Sequence, residues 1–571
     1  MPVKTISDGT VSDAYLALLA DRGIDYFFGN AGTDFAPIIE SFAKAQALGT
    51  PAPKAMLVPH ENLAIHMALG YYAVTGRPQV VMVHVNVGTA NALNGIINAS
   101  RGNIPVLFSS GRTPYSETGD REGRRTREVH WPQEMFDQGA LAREMVKWDY
   151  ELKDKAVLET VVDRALNIAM TEPRGPIYLT LPREPLAEKF ESFDFTSPSR
   201  HATPTVAWPD PNAIDQLASR IANAENPLII TQDSGADMNA VAPLAALSDR
   251  FAIPVIQRKP RYLCLPSDHP MHLGYDSDPY LDFADLIIVA QCDVPWIPSV
   301  KSPGPGCTVV HMGPDPIYAG YPIRGYEADM AITGSMAPSF RMLDDALAGL
   351  ETGAKPSIDA RRKRVTGLRD MMHEKWAAGL EKSKNDSPMS QAWISHCISE
   401  VKDDDAILLT ESAFAMSHMK LTKPGSFISG GAGGGLGYGL GMSLGAKLAA
   451  GDRMVICTQG DGAYMYGNPT PAHYVGNAEN LPTLTIIMNN EEWGAVKRNT
   501  RAMYPEGYAV KSNREALTFF DGGGLAFEKG LEVTGGYGER VEDPAELPKA
   551  LERAAIAVSD GQPAVLNLKT V

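Results

Sequence analysis

Short apolar runs alternate with longer amphipathic stretches down most of this chain. "YFFGN" precedes "TDFAPIIESFAKA", "AMLVP" precedes "HENLAIHMALGYYAV", and "VVMVHV" precedes "TANALNGIINASR", with "IPVLFSS" next. Such alternation reads as strands of parallel sheets joined by crossover helices, and it predicts an α/β fold of doubly wound parallel sheets. The pattern halts at "EKFESFDFTSPSRHATPTVAWPDP", whose Ser, Thr and Pro content reads as a linker. It resumes with "PLIITQ", "IPVIQ", "LIIVAQ" and "TVVHMG". The charged stretch "DARRKRVTGLRDMMHEKWAAGLEKSKNDS" sets off a last block, in which "AILLTES", "RMVICTQ", "LTIIMNN" and "AVLNLKTV" read as strands. A chain of 571 residues is too long for one core, and three domains are expected at roughly 1–190, 200–350 and 370–571.

The net charge of −16 disfavours nucleic acid or an anionic membrane as the main partner. No run of about eighteen uninterrupted apolar residues occurs, so no transmembrane helix is expected. The start, "MPVKTISDGTVSDAY", lacks the apolar core of a signal peptide. Cys264, Cys292, Cys307, Cys397 and Cys457 are scattered without a C-x-x-C, which points to reduced thiols in a cytoplasmic protein and away from structural zinc.

One tripeptide stands out. Gly460-Asp461-Gly462 follows the apolar run "RMVIC", and the next strand, "TLTIIM", ends in "NNEEWG" from Asn489 to Gly494. Adjacent parallel strands would bring both ends to one C-terminal sheet edge, where ligands of open α/β sheets bind. A carboxylate, a side-chain amide oxygen and a main-chain carbonyl there form a hard-oxygen set suited to Mg²⁺, completed by phosphate and water. Upstream, "SGGAGGGLGYGLGMSLGAKLA" looks like a dinucleotide loop but contains no G-x-G-x-x-G, which excludes the nicotinamide-cofactor reading. Its glycines suit close approach of backbone to a ligand, close packing, or both.

Together these residues resemble the cofactor signature of thiamine-diphosphate-dependent enzymes. The three-block organisation is similar to their decarboxylase and acetohydroxyacid-synthase branch. "FFGNAGTDFAP", "MVHVNVGTANAL", "LTESAFAMSHM", "PGSFISGGAGGGLGYGLG" and "NNEEWGAVKR" look most like the benzoylformate decarboxylases. The resemblance implies pyrimidine-binding, middle and diphosphate-binding domains, and a homodimer or homotetramer. It implies Mg²⁺ on Asp461, Asn490 and the main-chain oxygen of Glu492. It assigns Glu61, in "VPHENLAIHMA", to the cofactor's pyrimidine, where a carboxyl group hydrogen-bonded to N1′ lets the 4′-amino group act as a base. Leu436 would wedge the two cofactor rings into a V, the carbonyl of Gly434 would take the 4′-amino group, and Ser412, Gly462 and Ala463 would complete the cofactor contacts.

The substrate end is less defined. By the same resemblance Thr33 replaces a serine that contacts the substrate carboxylate, and His84 matches a proton-transfer histidine. Residues alone also allow a helix N-cap for Thr33 and a backbone-bonded strand-end ring for His84. The family's second histidine is absent, and the matching segment offers Trp296, Ile297 and Pro298. Ala413 and Phe414 stand where the family has hydroxyls. "PQEMF" resembles an acetohydroxyacid-synthase stretch and makes Gln133 a candidate. Arg121, Arg124, Arg125 and Arg127 could neutralise an anionic substrate or a coenzyme A tail, or form a solvated loop. No flavin-binding signature is convincing. The expected activity is Mg²⁺-dependent decarboxylation of a 2-oxo acid to an aldehyde. An acetohydroxyacid-synthase-type carboligase, a 2-hydroxyacyl-CoA lyase and a non-catalytic cofactor-binding protein remain alternatives.

Overall fold

The computed structural model describes residues 2–411, 414–520 and 523–571. Three parallel sheets carry it. The first has six strands in the order Lys54–Leu57, Tyr26–Gly29, Val80–Val83, Leu107–Arg112, Ile177–Pro182, Asp149–Glu151. The third has six in the order Phe427–Ile428, Ile407–Glu411, Val455–Gly460, Leu484–Asn489, Ala564–Lys569, Tyr537–Val541. Numbered along the chain within each sheet, both run 2-1-3-4-6-5, so the two end regions are built to one plan. Between them lies a five-stranded parallel sheet formed by Pro227–Thr231, Val255–Gln257, Leu286–Ala290, Thr308–Gly313 and Met330–Thr333. The parallel-sheet expectation holds because strands such as Val80–Val83 and Leu484–Asn489 are buried along their whole length.

One expectation needs correction. The supposed linker begins as a strand, Lys189–Thr196, which pairs antiparallel with Val3–Thr10. Its aromatic residues explain this: Phe190 and Phe195 are buried against the first core. Most of the charged separator lies in one long helix, Glu351–Ser383, whose buried Arg361 donates to main-chain oxygens of the middle region.

In both six-stranded sheets the strand order reverses beside the first strand, which opens a crevice at the C-terminal edge. The helices that follow the second strands, Glu61–Thr75 and Tyr438–Ala450, pack directly on each other. Gly445 permits this: an added Cβ would sit 1.9 Å from the carbonyl oxygen of Met67. Part of the glycine-rich stretch therefore serves helix-on-helix contact. Among the described residues, no helix is long and apolar enough to cross a membrane.

Candidate active site

At the first sheet's C-terminal edge, three strand ends converge. Glu61 opens its helix with both carboxylate oxygens engaged: Asn30 Nδ2 donates to Oε1 at 2.9 Å and Asn91 Nδ2 to Oε2 at 2.5 Å. His84 follows the strand Val80–Val83 and begins the helix Val85–Arg101. Its Nδ1 lies 2.5 Å from Asp34 Oδ1, and its Nε2 lies 3.2 Å from Gln133 Nε2. Asp34 is only 3% exposed. It fits because residue 111 is glycine; a Cβ there would be 1.7 Å from Asp34 Oδ2. The Asp34 carboxylate on Nδ1 raises the imidazole above its ordinary range, against the effect of burial. Gln133 Oε1 is buried with no hydrogen-bond partner among the described residues.

Thr33 is exposed, and its hydroxyl caps nothing: Gly32 precedes the short 3₁₀ turn Thr33–Phe35, with no side-chain cap. Its carbonyl accepts from Arg183 Nη1 at 3.1 Å. Arg183 also donates to the carbonyls of Gly123 and Arg124, which holds the arginine-rich loop beside Thr33. Within that loop Arg125 pairs with Glu134 at 2.6 Å, whereas Arg121, Arg124 and Arg127 have no carboxylate partner among the described residues. Trp296 is a core residue, edge-on to Tyr326, while Ile297 and Pro298 face solvent.

At the third sheet's C-terminal edge, Val455–Gly460 and Leu484–Asn489 are hydrogen-bonded neighbours. Asp461 and Asn490 therefore meet. Asp461 is 2% exposed and, among the described residues, accepts from main-chain donors, including Gly462 N at 2.7 Å and Glu491 N at 2.7 Å. Burial raises its carboxyl above the usual range, and those N–H groups pull the other way. Among the described residues no cationic side chain is paired with it. Lys497 goes instead to Glu492, at 2.5 Å. Glu491 has φ of 56°, a left-handed residue that turns the chain so that its own N–H points at Asp461. A buried carboxylate with no cationic partner among the described residues, at the strand edge it shares with Asn490, is a donor that fits a divalent cation. Gly462 packs on the Trp493 ring, and Ala463 is buried in the helix Asp461–Tyr466.

The glycine-rich loop joins the two halves. Asn94 Nδ2 donates to the carbonyl of Leu436 at 2.7 Å. Asn94 lies one turn after Asn91, the residue that holds Glu61. Leu436 is 37% exposed, so it is not an ordinary core leucine, and Gly434 takes φ of 75°. Ser412 and Ala413 lie outside the described residues.

Models of the thiamine pyrophosphate enzymes match three segments: the N-terminal binding domain over residues 9–141, the central domain over 214–343 and the C-terminal binding domain over 410–568. This chain belongs to the thiamine pyrophosphate enzymes. The benzoylformate decarboxylase of Pseudomonas aeruginosa is 25% identical over 504 residues, 86% of this chain and 87% of that protein. The acetolactate synthase large subunit of Buchnera aphidicola is 23% identical over 573 residues, 96% of this chain and 93% of that protein. A solved thiamine diphosphate-dependent 4-hydroxybenzoylformate decarboxylase from Rhodococcus jostii shares the fold, with TM-score 0.76 and 23% identity over 98% of this chain and 99% of that one.

Sequence reasoning missed several residues of this thiamine pyrophosphate enzyme. Asp34 sits next to Thr33 and belongs to no motif of its own. Asn30 and Asn91 carry no motif by themselves. The asparagines spaced three and four apart at Asn91, Asn94 and Asn98 were a usable signal, because that spacing puts three amides on one helix face.

Proposed function

We propose that this thiamine pyrophosphate enzyme is a Mg²⁺-dependent lyase that decarboxylates a 2-oxo acid to an aldehyde. The observation that carries the reading is the His84 ring held between Asp34 and Gln133, a proton carrier already oriented and packed against Gly32, the residue before Thr33.

Thiamine diphosphate, when bound, supplies an electron sink for cleavage of a carbon–carbon bond next to a carbonyl. The chain's residues do the rest. Glu61 has lone pairs beyond its two amide bonds, so it can hold a proton for an aminopyrimidine. His84 Nδ1–H donates to the Asp34 carboxylate, which leaves Nε2 as the exchanging atom. The neutral ring accepts the Gln133 amide N–H. Once protonated, it needs an acceptor, and half a turn of the amide presents the orphaned Oε1. Thr33 offers a hydroxyl to a substrate carboxylate. Leu436 projects from the glycine-rich loop that Asn94 holds, and Gly434, Gly462 and Ala463 are the proposed further contacts of the cofactor. Asp461, Asn490 and the Glu492 carbonyl would hold Mg²⁺, with diphosphate and water filling the other positions.

A second reading is carboligation, or cleavage of a 2-hydroxyacyl-CoA. It is favoured by the middle-domain segment Trp296–Pro298, which offers no proton donor. The unpaired Arg121, Arg124 and Arg127 suit an anionic acceptor. A merely cofactor-binding protein has no use for a carboxylate oriented as Glu61 is. Exposed Trp131 and Phe136 on one edge and Tyr508 and Leu517 on the other support a homodimer or homotetramer. Five free thiols support a cytoplasmic setting. Domain limits at 1–190, 200–350 and 370–571 form part of the proposal, the first extended to Thr196 by its strand pairing.

The test is a product screen: purified protein, thiamine diphosphate, Mg²⁺ and a panel of 2-oxo acids and 2-hydroxyacyl-CoAs. Aldehyde with CO₂ supports decarboxylation. Acyloin or acyl-CoA cleavage alone selects the second reading.

A further inference from the structure

The strand Ile407–Glu411 is buried throughout and ends in a carboxylate that is only 8% exposed. A buried carboxylate needs donors. Glu411 finds three, all main-chain: Oε1 accepts from Gly437 N at 2.5 Å and Tyr438 N at 3.2 Å, and Oε2 accepts from Gly439 N at 2.6 Å. These open N–H groups begin the 13-residue helix Tyr438–Ala450, whose own N-cap, Gly437, has no side chain to satisfy them. The fit is close. A Cβ on Gly439 would lie 2.8 Å from Glu411 Oε2 and 2.5 Å from Gln459 Nε2. The Tyr438 hydroxyl returns to the same strand, 2.8 Å from the carbonyl of Thr410.

A second grip comes from the N-terminal region. Asn98 Oδ1 accepts from Gly433 N at 3.2 Å and Gly435 N at 3.1 Å, while its Nδ2 donates to the carbonyl of Gly435 at 2.8 Å. Its amide is oriented by His66. The His66 Nδ1 lies 2.9 Å from the carbonyl of Asn62, so Nδ1 carries the proton and Nε2 accepts from Asn98 Nδ2 at 3.1 Å. Burial lowers His66 to about 4, which keeps the ring neutral and this tautomer fixed. One grip ends at Gly435 and the other starts at Gly437. Leu436 is the residue between them.

We infer that Glu411 and Asn98 are positioning residues that, from two different domains, hold the loop Gly433–Gly439 so that Leu436 and Gly434 stand ready for the cofactor. The cofactor half of this statement rests on the thiamine diphosphate site proposed above; the grip itself does not.

Hydrogen exchange read by mass spectrometry on cofactor-free protein, with calorimetric titration of thiamine diphosphate in Mg²⁺, tests both halves. In Glu411→Gln and in Asn98→Ala, exchange in peptides covering 430–440 should rise at least tenfold. Strand Leu484–Asn489 should keep its protection. Cofactor affinity should fall at least tenfold, while the melting temperature moves by no more than a few degrees. Unchanged loop exchange in both folded variants overturns the grip. Faster exchange with unchanged affinity overturns the positioning role. Should either variant not fold, wild-type protein decides: loop amides exchanging as fast as free chain contradict the inference, and strong protection supports it. Wild-type protein that protects the loop yet binds no cofactor refutes the cofactor site and leaves the grip standing.

Discussion

The two end sheets share one strand order but hold their acids differently. In the N-terminal region Glu61 is held by asparagine amides, and Asp34 is held by the His84 imidazole on one oxygen and by one longer main-chain contact, from Val85 N at 3.3 Å, on the other. In the C-terminal region Glu411 and Asp461 are held by main-chain N–H groups. Burial raises both of these acids, Glu411 to about 8. An imidazole partner can trade protons and amide side chains can rotate, which suits acid–base work. Main-chain donors are fixed, which suits a rigid loop and an ion site. One scaffold thus supplies a chemical edge and an anchoring edge.

The largest predicted effect falls on the anchoring edge. Asp461→Ala should weaken Mg²⁺-dependent retention of thiamine diphosphate by about a hundredfold or more, since loss even of supporting groups in metal sites costs roughly 10–100-fold. Calorimetry with and without Mg²⁺ checks it, and equal retention would erase the contrast between the edges. Glu61→Gln should do the reverse: near-normal cofactor binding, with turnover down at least about tenfold and up to the 10²–10⁴ of acid–base catalysis. Near-normal turnover would remove Glu61 from the chemistry.

Smaller effects sharpen the chemical edge. Asp34 raises the pKa of His84, so the pair's contribution to stability is fully present below the ordinary histidine value and is lost as pH rises through the raised one. Asp34→Asn should therefore destabilise most at acidic pH, with the gap closing towards alkaline pH in denaturant melts. It should also move the corresponding limb of the pH–rate profile to lower pH. Gly111→Ala, which drives a methyl into Asp34, should cost about 1–3 kcal/mol by the same melts.

Much of this was legible in the chain. Mostly apolar strands such as "LTIIM" announced themselves, and the meeting of Asp461 and Asn490 was expected by supposing that two consecutive strands lie side by side, as they do. Less visible elements had mixed composition. Lys189–Thr196 alternates charges with phenylalanines inside a Ser- and Pro-rich stretch, Tyr537–Val541 carries two charges, and Phe427–Ile428 is two residues long. The duplicated strand order could not be read, because it depends on which strands pair. Glu411 was hidden for a related reason. Its partners are main-chain groups 26 to 28 residues away, and backbone donors leave no mark in sequence.

The central claim is that a single coenzyme spans both edges. A crystal structure with thiamine diphosphate and Mg²⁺ bound tests it most directly. The account predicts the Glu61 carboxylate within about 2.6–3.2 Å of the pyrimidine N1′. It also predicts Mg²⁺ about 2.0–2.1 Å from oxygens of Asp461 and Asn490. An aminopyrimidine bound away from Glu61, or a metal seated without Asp461, would contradict it.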